Sequence, residues 1–258
     1  MAELIDAVAA ITAEAGALAL RRSGEVFRRW EKRAGEPVSE IDLEVDALLR
    51  TRLSALLPEA GWLSEETADN ADRLACHRLW VVDPIDGTRD YLRGRSGWAV
   101  SVALVEGGQV VLGVLDAPAR GEHWRAVAGG GATRNGMAVR CGGRETLAGA
   151  RVPFDQLPRE DMDLTIVPKP NSIALRIAMV AADEADLVAT LRWGHEWDIA
   201  AATLIAAEAG ATVSDALGGR LAFNTPSAEA FGVLVSTPGI HAAAIERLAD
   251  RAKALVGR

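Results

Sequence analysis

Cysteine is scarce: Cys76 and Cys141 are the two in 258 residues, and no CxxC or Cys/His spacing surrounds them. That excludes a disulfide framework and a zinc site as organising features. Long apolar runs are absent as well, since none reaches the roughly 18 residues that a membrane span requires. The first twenty residues carry Glu3, Asp6 and Glu14 instead of a basic segment ahead of an apolar one, so the expected setting is the cytoplasm without membrane contact. Basic residues are in deficit, 28 Lys and Arg against 36 Asp and Glu, a formal net charge of −8. A nucleic-acid polymer, which is held by clustered Lys and Arg, is therefore not an expected partner. Acidity leaves small anionic ligands open, because a bound divalent cation reverses the local sign.

What is present fits a globular chain: 49% apolar and 25% charged residues, enough to bury a substantial core. Leu4, Ile5, Val8, Ile11, Ala15, Leu18 and Ala19 recur at helical spacing and predict an amphipathic helix within 4–27. After a break around Gly35 and Pro37, Ser39 followed by Asp42 reads as a helix start, with Ile41, Val45, Leu48, Leu49, Leu53 and Leu56 as the apolar stripe. Pro58 and Gly61 end it. Leu79-Trp80-Val81-Val82 is a short buried strand that ends on Asp83-Pro84, and strands over 98–105 and 109–115 are joined by a hairpin at Gly107-Gly108. Gly129 to Gly131 and Asn135-Gly136 predict turns, 172–182 and 198–209 helices, and 231–235 a late strand. Strands and helices alternate irregularly, the pattern of a mixed α/β or α+β protein. The loop-rich stretch 141–170 separates two well-patterned parts, and we expect halves at 1–140 and 141–258 within one structural unit. His77, His123 and His241 read as loop or surface residues.

The most informative stretch is Asp83-Pro84-Ile85-Asp86-Gly87-Thr88 at the end of a strand. Two carboxylates three residues apart, with a proline between and a glycine after, can converge on one point. With the Ile85 carbonyl they suit hard cations such as Mg²⁺, which take oxygen ligands. Thr88 offers a hydroxyl to a water, and the amides of Gly87 and Thr88 at a helix start suit a phosphate. Taken alone, the motif reads equally as an Asx-turn ahead of a helix. In isolation Asp42 is a solvated helix residue, Glu65-Glu66 a charge pattern at a helix start and Asp198 an N-cap.

The segment 83–88 resembles the first signature of the inositol monophosphatase superfamily, and Trp197-Asp198 through Glu208-Ala209-Gly210 resembles the second. Ser64-Glu65-Glu66-Thr67 and Ser39-Glu40-Ile41-Asp42 match two further elements in the same order. The resemblance implies a layered α/β/α/β/α sandwich and a metal-dependent phosphatase of small phosphate monoesters. It implies Glu65, Asp83, the Ile85 carbonyl, Asp86 and Asp198 as ligands of two or three Mg²⁺ ions. Asp42, Glu65 and Thr88 would be catalytic, with Gly87 and Thr88 facing the phosphate. It further implies a homodimer and inhibition by lithium. A non-catalytic cation-binding protein of the same fold is the alternative from another class.

The substrate is argued from departures. Asn171-Ser172 stands where the inositol enzymes carry Gly-Ser or Gly-Thr, and 189–196 has no carboxylate at the place expected to contact a polyol. Arg192, Trp193 and His195 suit a ring to stack on and an extra phosphate, with Lys169 and Arg176 adding charge and Ser172 nearby. The Glu196-Trp197-Asp198 form and Phe223-Asn224-Thr225-Pro226 are similar to bacterial 3′(2′),5′-bisphosphate nucleotidases. The expected reaction is hydrolysis of 3′-phosphoadenosine 5′-phosphate to AMP and phosphate. An inositol-1-phosphate or other sugar or polyol phosphatase is the alternative.

Overall fold

The computed structural model describes residues 1–33 and 36–257, so the break expected at Gly35 lies outside the described residues. Among the described residues the helices are α1 (Ala2–Arg22), α2 (Glu40–Leu56), α3 (Thr88–Leu92), α4 (Ile173–Ala181), α5 (Glu196–Glu208) and α6 (His241–Val256). The first nine strands are β1 (Arg29–Arg33), β2 (Glu36–Ser39), β3 (Gly61–Ser64), β4 (Arg78–Asp86), β5 (Ala99–Glu106), β6 (Gln109–Ala117), β7 (Glu122–Val127), β8 (Gly131–Arg134) and β9 (Met137–Ala138). Five more follow: β10 (Arg151–Pro153), β11 (Thr165–Val167), β12 (Leu187–His195), β13 (Thr212–Ser214) and β14 (Glu229–Ser236). No helix among them is long and apolar enough to cross a membrane.

Strands β3 to β9 form one sheet in sequence order, with β3 and β4 parallel and the remaining pairs antiparallel. Side chains alternate across it as a pleated strand requires. Trp80, Val82, Val102 and Leu104 face α1 and α2, where Val8, Ala15, Ile41, Val45 and Leu49 meet them. Leu79, Val81, Ala103 and Val105 face the opposite way, onto α4 and α5. Helix α5 is buried from Ile199 to Ala206, as befits a helix lying between two sheets. Its alanines permit a close approach, and a Cβ on Gly113 of β6 would stand 2.7 Å from the Ala201 carbonyl oxygen.

Beyond α4 and α5 lies the sheet β12-β14-β13, with the parallel pair β10-β11 alongside, and α6 covers the far side through Ala244 and Leu248, with Ile240 just ahead of it. The five layers are those of the expected sandwich. The hairpin turn falls at Gly107 and Gly108, both at positive φ, as a tight two-residue connection demands. Helix α5 starts at Glu196, two residues before the expected start, and α6 was not foreseen. His241 is a correction: it is buried at the start of α6, hydrogen-bonded to Ser236 and Ser214, because that helix docks its first turn against β13 and β14.

Candidate active site

Glu65, Asp83, Ile85, Asp86, Gly87, Thr88 and Asp198 all line one cleft of about 420 Å³ at the end of β4. Residues three apart on a regular strand point to opposite faces. Here Asp83 pairs with Ser101 of β5 and Asp86 with Ala99, so three steps on β4 oppose two on β5. The extra residue makes a bulge at Pro84-Ile85 that brings both carboxylates to the cleft. Asp83 accepts the Ile85 N–H at 3.0 Å, so the Asx-turn is present within the same arrangement. The chain leaves through Gly87 at φ 95°, where a Cβ would meet the Gly97 carbonyl oxygen at 2.6 Å and the Ser172 nitrogen at 2.9 Å. Only glycine fits there.

Asp86 ties the two halves of the cleft together. One of its oxygens accepts the Ser172 hydroxyl and the Ala174 N–H at 2.7 Å, and the other accepts the Ile173 N–H at 3.3 Å. A carboxylate from β4 thus satisfies the first turn of α4. Ser172 is therefore not a substrate contact in this arrangement. It is fully buried, donates to Asp86 and accepts the Leu175 N–H at 2.9 Å, which leaves its hydroxyl committed to holding Asp86.

Asp42 divides its oxygens in the same way. One accepts the Ser39 N–H at 2.8 Å and hydroxyl at 2.6 Å, closing the start of α2. The other lies 3.4 Å from the Thr88 hydroxyl, which donates at 3.0 Å to the Ile85 carbonyl. Asp198 is not the N-cap expected of it: that place falls to His195, and Asp198, in the first turn of α5, reaches back to the His195 N–H at 3.3 Å while lining the cleft. Glu65 follows β3 and meets Lys32 of β1 at 3.2 Å, while Glu66 holds the same ammonium at 2.6 Å.

The acidic groups disturb one another. Asp83 is pushed well above the usual carboxylate range by burial and then by Glu65, Asp86 and Asp198. Asp198 is raised to about 8 by burial and by Asp86 and Glu65. Asp86 is raised to about 6 by burial, with Ser172 and the α4 amides pulling the other way. Burial likewise lifts Asp42 to about 6 and Glu66 to about 7. Among the described residues no three Asp, Glu, His or Cys side chains stand close enough together to hold a metal ion as placed. The donor set nonetheless fits a hard cation in kind, because it consists of oxygens whose charge is costly to bury unless a cation offsets it.

One wall of the cleft is basic: Lys169, Arg176 and Arg192 line it. Arg192 reaches the wall through a second bulge, since Thr190 pairs with Val233 and Trp193 with Phe231. Gly232 lies opposite at φ 67°, where a Cβ would overlap the Thr190 carbonyl oxygen. Trp193 is not brought to the cleft: the bulge sends its ring against Phe231, with centroids 5.5 Å apart. His195 lines a small adjoining cavity with Asp198 and stacks on Trp197 at 4.2 Å. Sequence reasoning missed Lys32, which carries no motif and meets Glu65 and Glu66 from a strand more than thirty residues away in sequence.

A family model described as the inositol monophosphatase family matches residues 1–256. An inositol-1-monophosphatase of Mesorhizobium japonicum is 35% identical over 206 residues, covering 73% of this chain and 76% of that one. A fructose-1,6-bisphosphatase/inositol-1-monophosphatase of Thermotoga maritima is 34% identical over 199 residues, covering 72% and 74%. The solved structure of a Thermotoga maritima inositol monophosphatase superposes with a TM-score of 0.83 at 27% identity, covering 98% of this chain and 99% of that one.

Proposed function

Because the chain belongs to the inositol monophosphatase family, whose members are metal-dependent hydrolases of phosphoric monoesters, we propose that it is a Mg²⁺-dependent phosphatase for a small ester with a second anionic group. A 3′(2′),5′-bisphosphate nucleotide such as 3′-phosphoadenosine 5′-phosphate is the leading candidate. The observation that supports this is the charge layout of one cleft, with oxygen donors on its floor and Lys169, Arg176 and Arg192 on one wall.

Glu65, Asp83, the Ile85 carbonyl, Asp86 and Asp198 would hold two or three Mg²⁺ ions. When bound, the metal offsets charge on the phosphoryl oxygens and lowers the pKa of water. Asp42 and Thr88 orient the attacking water, and Asp42 receives its proton: with a pKa of about 6 it is ionised near neutrality and more basic than an ordinary Asp. Glu65, which lines the same cleft, would share in activating that water. The amides of Gly87 and Thr88 hold the reacting phosphate, and Arg192 takes the second anion by forked hydrogen bonds, with the Arg176 charge beside it. The same reading carries a cytoplasmic homodimer inhibited by lithium.

A second reading, an inositol-1-phosphate or polyol phosphatase, is favoured by the activities named for the two relatives. Phosphate release with Mg²⁺ from 3′-phosphoadenosine 5′-phosphate and from inositol-1-phosphate, each with and without EDTA, separates the two. Preference for the nucleotide supports the first, preference for the inositol ester replaces it with the second, and EDTA-insensitive release sinks both.

A further inference from the structure

A second cavity, of about 410 Å³, opens on the other side of the two arginines: Arg176 and Arg192 line it as well as the cleft. Its remaining walls are largely apolar. Leu187, Ala189 and Leu191 present one face of β12 to it at a spacing of two, Leu248 of α6 closes one side, and Val152 and Leu157 another. The volume lies in the range of small-molecule sites, and an apolar lining with a few polar groups is how such sites are built. Its other two arginines are already engaged, Arg247 with Asp163 at 2.7 and 3.0 Å and Arg251 with Asp161 at 2.8 and 3.0 Å. Arg192, by contrast, has no hydrogen-bond or ion-pair partner among the described residues. Arg176 gives its hydrogen bonds to the Ser172 and Asn171 carbonyl oxygens, which fix it in place without neutralising it.

We propose that this cavity takes an apolar body carried by the substrate's leaving group, with Arg176 and Arg192 gripping an anionic group at the wall that cavity and cleft share. The substrate class is then an amphiphilic phosphate monoester: reacting phosphate, second anion, and a ring-sized or larger apolar moiety. A plain polyol phosphate would leave the cavity to water and forgo the gain from covering its leucines. The inference rests on the phosphatase reading for the word substrate, but the cavity's ligand preference can be measured without turnover.

The probe is 1-anilinonaphthalene-8-sulfonate, an aromatic body bearing one anion, titrated by fluorescence into the full chain in EDTA. We expect one saturable site, weakened about tenfold by Arg192→Gln through loss of a charge-assisted contact. Ala189→Trp, which fills the cavity, should abolish binding, and Leu157→Trp serves the same purpose from a loop if the strand variant fails to unfold cooperatively. Binding that survives both the charge and the filling substitutions would overturn the proposal. In the Mg²⁺ assay the dye should compete with whichever ester is hydrolysed, and saturable binding without inhibition would also overturn it. If no ester is hydrolysed, the phosphatase reading fails by itself, and the titration alone decides what the cavity binds.

Discussion

Removing metal should leave a protein that becomes more stable as pH falls toward neutrality, the reverse of ordinary acid sensitivity. Asp198 is raised from 3.8 to about 8. A raised carboxylate means that the folded state binds the proton more tightly than the unfolded chain. Between the two pKa values stability therefore declines as pH rises. Between about pH 6.5 and about pH 8.5 that one group costs about 2 kcal/mol, or roughly 4 to 8 °C in melting temperature for a domain of this size. Asp83 and Glu66, both raised, add in the same direction. His241, lowered by burial, opposes the trend only at the foot of this window, since the unfolded histidine, at its ordinary 6.5, gives up its proton as pH rises above that value. The assay is calorimetric melting in EDTA across this window, repeated with Mg²⁺ and with Asp198→Asn. We expect a falling melting temperature in EDTA, a shallower slope in Asp198→Asn, and the largest Mg²⁺ stabilisation at the high-pH end, where the ligands are ionised. A flat or rising EDTA profile would refute the account of buried acidic groups raised by burial and by one another.

Asp42→Asn keeps an oxygen for Ser39 and so keeps the start of α2, but removes the proton acceptor; kcat should fall about 10²- to 10⁴-fold with little change in KM, and retention of more than a tenth of kcat would exclude the role. Asp86→Asn should abolish Mg²⁺-dependent phosphate release while circular dichroism shows a cooperative melt, whereas a purely structural cation site would lose the fold instead. Ser172→Ala strips Asp86 of its hydroxyl donor, costing about 1–3 kcal/mol in urea unfolding and raising the half-saturating Mg²⁺ concentration; an unchanged Mg²⁺ titration would disprove that Ser172 acts through Asp86. Gly87→Ala places a Cβ against the Gly97 carbonyl at a positive φ, and the left-handed cost of about 1–2 kcal/mol with overpacking of about 1–3 kcal/mol should appear in the same unfolding experiment; a loss under about 1 kcal/mol would show that the turn relaxes.

Much of this was legible in the residues. Helix α2, strand β4 and the Gly107-Gly108 hairpin follow from period, caps and turn chemistry, because those signals act between neighbours in the chain. So does the acidic stretch 83–88, whose donor types alone specify a taste for hard cations. The family resemblance, carried by signatures spaced along the chain, pointed to Asp42, Glu65, Asp83, Asp86 and Asp198, and four of these, Glu65, Asp83, Asp86 and Asp198, line one cleft. What it could not supply was direction. Whether Asp83 and Asp86 share a face depends on the bulge opposite Ser101 and Ala99, and whether Arg192 or Trp193 enters the cleft depends on another opposite Gly232. A bulge is a property of two paired strands, and neither strand announces its register by itself. The commitment of Ser172 to Asp86, the reach of Lys32 to Glu65, and the cavity behind Arg176 and Arg192 are likewise contacts between segments far apart in sequence, which only the packed layers bring together.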